Sequence, residues 1–126
     1  MYRLVIHWII HILLIFLIIK FLDLESMGIV FAVLGGVLID TDHVPTLSKN
    51  GVRGYLYRRV VLDRYKPRKY KLHNFPVLFV SLTLSFFMLS SLTFYLGVFF
   101  LSMTVHLLFD LFEDVILYRT VSNWLV

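Results

Sequence analysis

This chain of 126 residues contains no cysteine, and only 16% of its residues carry charge. Without cysteine there is no disulfide framework and no thiolate metal site, so any metal must be held by histidine and carboxylates. So few charges, against about 25% in ordinary soluble domains, together with 60% apolar residues exclude a conventional water-soluble globule. Disorder is excluded as well, because a chain stays open only when hydrophobicity is low and charge is high. The sequence also lacks a glycine-rich phosphate loop, a P-loop and a nucleophile elbow. Its length allows one domain, residues 1–126.

The charges that are present are unevenly spread. Residues 44–76 hold nine Lys or Arg and one Asp, leaving three basic and seven acidic residues for the rest of the chain. A basic segment therefore sits beside an acidic, apolar body.

A bilayer core takes about 20 mostly apolar helical residues. Residues 4–22 supply one such run, too long for a signal peptide and followed by DLES rather than a small-residue cleavage site, so a retained membrane helix is expected. Residues 27–43 supply a shorter one that ends in Asp40, Thr41, Asp42 and His43. No charge occurs from Asn74 to Val105, and the apolar pattern continues to Tyr118. That stretch is too long for one span, and its soft region at Ser90, Ser91, Thr93 and Gly97 predicts a hairpin between helices at about 75–95 and 97–118. The expected fold is all-α, an integral membrane bundle of about four transmembrane helices with a basic loop at 44–74.

Loops rich in Lys and Arg stay cytoplasmic, which puts the 44–74 loop and both termini on that side. Tyr2, Tyr118 and Trp124 are then expected at the inner interface, and Lys20 snorkels to the outer one. Aromatics interleaved with basic residues between Tyr55 and Tyr65 suit anionic headgroups or nucleic-acid phosphates, of which lipid is the nearer partner.

Ionisable groups inside a bilayer cost on the order of 3 kcal/mol each at a helix centre, so each calls for a partner or a function. Here they are His7 and His11; Asp40, Asp42 and His43; His73; and His106, Asp110, Glu113 and Asp114. Four-residue spacing puts His7 with His11, His106 with Asp110, and Asp110 with Asp114 on shared helix faces. An up-and-down topology gathers all of these at the cytoplasmic end. At about 1.5 Å per residue, His11 lies roughly 10 Å deep and His106 roughly 18 Å.

Imidazole with carboxylate is a ligand set for zinc, manganese or iron, and such a pocket can hold one or two ions. Two ions clamp the attacking and leaving oxygens of a phosphoryl displacement and activate water, so hydrolysis is the expected chemistry. His11, Asp42, His43, His73, His106 and Asp110 are the candidate ligands. His11 is preferred to His7, which lies one turn inside and can face headgroups. Asp40, Asp110 and Asp114 are the candidate catalytic carboxylates: Asp40 either ligates or orients a ligating histidine. Glu113 and Asp114 are expected near the surface against loop Arg or Lys, where either can serve as a general base. Ser81, Ser85, Ser102 and Thr104 are expected to pack helices closely, and Phe86, Phe87, Phe99 and Phe100 to face lipid or fill space.

Residues 35–43, GGVLIDTDH, resemble the LLxDxDH motif of the membrane-bound metal-dependent hydrolases of the YdjM type, and residues 106–110, HLLFD, resemble that family's HLxxD motif. An N-terminal His precedes these motifs in the family, matched by His11 or His7. Where the family shows HRGxTHS, only His73 in KLHNFP is available, at the position of the second His, and the first His is replaced by part of the basic run. The resemblance implies a helical membrane protein with a metal centre, remotely similar to the zinc-dependent phospholipase C and single-strand nuclease group, and hence phosphoester hydrolysis.

The leading expectation is a hydrolase that cleaves a phospholipid or other amphiphile at the inner leaflet with metal-activated water, zinc being first choice and manganese or iron the alternatives. Arg58, Arg59, Arg64 and Lys69 would hold the anionic headgroup. A small transporter or channel for divalent cations or protons is the second expectation, and it requires polar groups continuing to the far side, where almost none occur beyond Ser and Thr. A noncatalytic membrane module with a partner-binding basic loop is the third.

Overall fold

A computed structural model describes residues 2–45, 71–90 and 92–118, together with 48, 51, 121, 124 and 125, with backbone alone at 2–4, 42, 117 and 118. Among these residues the fold is all-α and contains no strand. The elements are α1 (Tyr2–Phe21), α2 (Ser26–Leu38), a 3-10 turn at Ile39–His43, α3 (Phe75–Leu89), α4 (Phe94–Glu113) and a π-turn at Asp114–Tyr118.

The first helix ends where Leu22 and Leu24 bond back to Ile18 and Ile19, with Asp23 left-handed at φ 48°, a conformation that a short polar side chain tolerates. The α-helical part of α2 stops at Leu38 instead of running to residue 43, because Ile39–His43 tighten into 3-10 geometry ahead of Pro45. At about three residues per turn this eclipses Asp40 and His43 on one side. At the start of α3, Asn74 accepts from the Val77 amide at 2.9 Å and donates to the Lys71 carbonyl at 2.7 Å, while Pro76 follows in the first turn. This cap fixes the bend that carries His73.

The expected break near residue 96 is displaced. α3 ends at Leu89 and α4 begins at Phe94, with Ser90, Leu92 and Thr93 in turn geometry between them and the Gly97 amide bonding to the Thr93 carbonyl at 3.1 Å. Gly97 lies inside the helix, where a Cβ would come 2.5 Å from the Leu89 nitrogen. It is a contact between helices rather than a hinge. A second such contact joins α2 to α4 at Gly35, whose Cβ would collide with the Phe99 carbonyl. Beside it, Ser102 donates to the Ala32 carbonyl at 2.6 Å, and Thr104 donates to Ser81 at 3.0 Å across α3 and α4. These hydroxyls pack helices as expected.

The central helix is α4, parallel to α2 and antiparallel to α1 and α3. Phe94–Ile116, with 23 residues, is long and apolar enough to cross a membrane, whereas Val5–Phe21, Ser26–Thr41 and Phe75–Leu89 are shorter apolar helices. The bundle is inverted relative to a soluble one: the described interior holds His7, His11, His43, His73, His106, Asp110 and four hydroxyl residues, while Ile12, Leu17, Phe21, Phe79, Phe86 and Phe87 lie on the outside. Half-buried Phe99 and Phe100 fill space beside α2 and α3.

Trp124, expected at the inner interface, is buried within the bundle. It is 1% exposed, packs with Ile39, Leu78 and Leu107, and accepts the Phe75 amide on its carbonyl at 3.2 Å. The reason is that its indole N–H has a buried partner: it donates to Asp114 at 2.9 Å.

Candidate metal centre

Each element contributes to one cluster at a single end of the bundle. His7 and His11 come from α1, Asp40 and His43 from the 3-10 turn, His73 from the capped bend, and His106, Asp110 and Glu113 from the last two turns of α4. The four-residue spacing of His106 and Asp110 turns both toward the three other helices, and both are buried.

The cluster centres on Asp110. Its Oδ2 lies 2.9 Å from His73 Nε2 and 3.4 Å from His106 Nε2, while Asp40 Oδ1 lies 3.6 Å from His106 Nε2 and 3.8 Å from His73 Nε2. These four ligand atoms, from Asp40, His73, His106 and Asp110, lie within 4.8 Å of one another. Donor atoms around a tetrahedral zinc stand roughly 3.4 Å apart, given metal–ligand lengths of about 2.0–2.1 Å. The observed separations bracket that value. Asp40 Oδ1, both His106 ring nitrogens and Asp110 Oδ2 are buried without a hydrogen bond of good geometry, a costly state that an ion would relieve. Charge agrees with this: two carboxylates and two neutral imidazoles make a neutral set with one divalent cation.

The other carboxylate oxygen of Asp110 faces α1. Its Oδ1 lies 3.2 Å from His11 Nε2 and 3.7 Å from His7 Nε2, and these three residues form a second group with ligand atoms within 4.8 Å. The far nitrogen of the His7 ring, Nδ1, is 2.9 Å from Glu113 Oε2. Such a carboxylate behind a histidine fixes its tautomer and aims the other nitrogen, here toward Asp110. The His11 ring stacks on that of His106 at 3.7 Å between centroids, so the two groups share a wall.

His43 stands beside the four-residue group, with Nε2 3.4 Å from Asp40 Oδ1 and its ring 4.7 Å from that of His73. Of the residues singled out in the sequence, His11, Asp40, His43, His73, His106 and Asp110 thus come together. His7, expected to face headgroups, is buried 3% exposed within the cluster, because Glu113 and Asp110 are both within reach of its ring. Glu113, expected at the surface against the basic loop, turns inward to His7 instead. Asp114 is engaged with the Trp124 indole, one turn below Asp110 and outside both groups. The signal that could have found His7 and Glu113 was helical register: His7 is one turn from His11, and Glu113 is three residues past Asp110.

The side chain of Asp42 lies outside the described residues, as do Arg58, Arg59, Arg64 and Lys69.

A narrow seam, too tight to admit a water molecule, runs from the cluster between α1 and α4. His11 and His106 form one end, and Leu14, Ile15, Ile18 and Val105 form most of its walls. No protein-family model, curated protein or solved structure matches the chain.

Proposed function

We propose that this chain is a membrane-integrated, metal-dependent hydrolase of the YdjM type that cleaves a phosphoester in an amphiphile. The observation that carries the reading is the convergence of buried ligand atoms of Asp40, His73, His106 and Asp110 within 4.8 Å of one another. Four transmembrane helices with both termini and the 44–74 loop on the cytoplasmic side form part of the proposal. Its support is the apolar exterior around a polar interior and the nine basic residues gathered in one loop.

Asp40, His73, His106 and Asp110 would hold the ion, zinc in the first instance. A divalent cation in the cluster with a ligand place left open would polarise the phosphoryl oxygen and lower the pKa of water in contact with it. Arg58, Arg59, Arg64 and Lys69 would neutralise the substrate's headgroup from the loop. Burial of the cluster excludes bulk water and strengthens each of these electrostatic contacts. Among the described residues the buried ionisable groups gather at one end, and the interior beyond them holds only hydroxyls, glycine and apolar side chains. That distribution favours a site served from one face over a path through the bundle.

The test is to purify the protein in detergent, quantify its metal, and assay cleavage of phospholipids in mixed vesicles. The expected result is stoichiometric metal and cleavage, both lost in an Asp110→Asn, His106→Ala double variant. Absence of metal from the intact, folded protein defeats the proposal.

A further inference from the structure

We propose that the cluster holds two divalent cations in unequal positions bridged by the carboxylate of Asp110, the second position being formed by His7, His11 and Asp110 with Glu113 as its positioning residue. This rests on the metal-binding part of the reading above and not on the hydrolysis.

The two oxygens of Asp110 point to different partners. Oδ2 faces His73 and His106, whereas Oδ1 faces His11 and His7, so one carboxylate serves two separate sets of nitrogens. A carboxylate that merely paired with a protonated histidine would need one such partner, not four imidazoles in two groups. The second group also has a built orienting contact, since the 2.9 Å bond from His7 Nδ1 to Glu113 leaves Nε2 as the nitrogen available toward Asp110.

The positions differ in ligand number. The first has four side-chain ligands from three elements, Asp40, His73, His106 and Asp110, the complement of a closed tetrahedral site. The second has three, His7, His11 and Asp110, which is the number that leaves a coordination place for water or substrate. The first ion is therefore the tightly held one, and the second, with its open place, the exchangeable one.

The experiment titrates the chelator-stripped, full-length protein in detergent with Zn2+ alone, following heat and bound metal, and repeats the loading with Mn2+ for electron paramagnetic resonance. Two equivalents per chain are expected, in a tighter and a weaker step, and the Mn2+ form should give the spectrum of a coupled pair. His7→Ala should remove the weaker step and leave the tighter one. Glu113→Ala should weaken only that same step, by about 10–100-fold, as loss of a carboxylate behind a ligating histidine does elsewhere. A structural role for Glu113 would lower both steps together or neither. One equivalent in the parent protein, isolated-ion Mn2+ spectra at full loading, or two unchanged steps in both variants would overturn the inference. Two bound equivalents without cleavage of any phosphoester would instead defeat the hydrolase reading and leave this one standing.

Discussion

Asp110 and Asp114 lie one helical turn apart and look interchangeable by type, yet their surroundings assign them different work. Asp110 is buried among His7, His11, His73 and His106, whereas Asp114 accepts the Trp124 indole N–H. Asparagine can still accept that N–H, so Asp114→Asn should leave metal content unchanged and lower stability by no more than about 1 kcal/mol. Asp110→Asn should lose the metal. Inductively coupled plasma measurements on the two purified variants decide the matter, and equal metal loss would contradict the assignment. Helical register made the shared face of His106, Asp110 and Asp114 legible in the sequence. It could not show that Trp124, fourteen residues beyond Asp110, folds back to claim the lower carboxylate, because that contact depends on a chain reversal that leaves no periodic trace. The same limit hid the pairing of His7 with Glu113, 106 positions apart.

At the scale of elements, apolar run length disclosed four helices and left their ends to be decided by contacts. Ser90, Ser91, Thr93 and Gly97 all read as turn formers, and only three-dimensional packing separates the turn between α3 and α4 from Gly97, which lets α4 approach the Leu89 backbone. Likewise the DTDH run announced a helix end without announcing 3-10 geometry, the feature that sets Asp40 and His43 on one side. Gly35 gives this level its sharpest test. α2 leads into the 3-10 turn that carries Asp40, α4 carries Asp110, and a methyl group at position 35 would collide with the Phe99 carbonyl between the two helices. Gly35→Ala should therefore destabilise the protein by about 1–3 kcal/mol and weaken metal retention although it touches no ligand. Thermal unfolding in detergent and metal content should fall together. A variant with parental stability would mean that the two helices separate at no cost.

For the whole molecule the deciding property is where polarity sits. Water-soluble bundles bury apolar stripes and expose charge, whereas here histidines, hydroxyls and Asp110 are inside and Phe21, Phe79, Phe86 and Phe87 face outward. Phe94–Ile116 can cross a bilayer by length, and three shorter apolar helices of the same bundle would be carried with it, their ends sealed by local thinning or by snorkelling side chains at a modest cost per ångström. Four crossings, as proposed, would put the α3–α4 turn and the basic loop on opposite sides. Because the chain has no native cysteine, single cysteines report on this without background. Ser90→Cys and Ser48→Cys change exposed residues on these two segments. In intact cells a membrane-impermeant maleimide should label Ser90→Cys, whereas Ser48→Cys should be labelled only after the membrane is opened. Labelling of both from the same side would mean that α3 does not cross. The metal cluster would then lie at the surface of a half-inserted bundle, with Asp40 and His73 brought together by a re-entrant turn rather than by opposed spans.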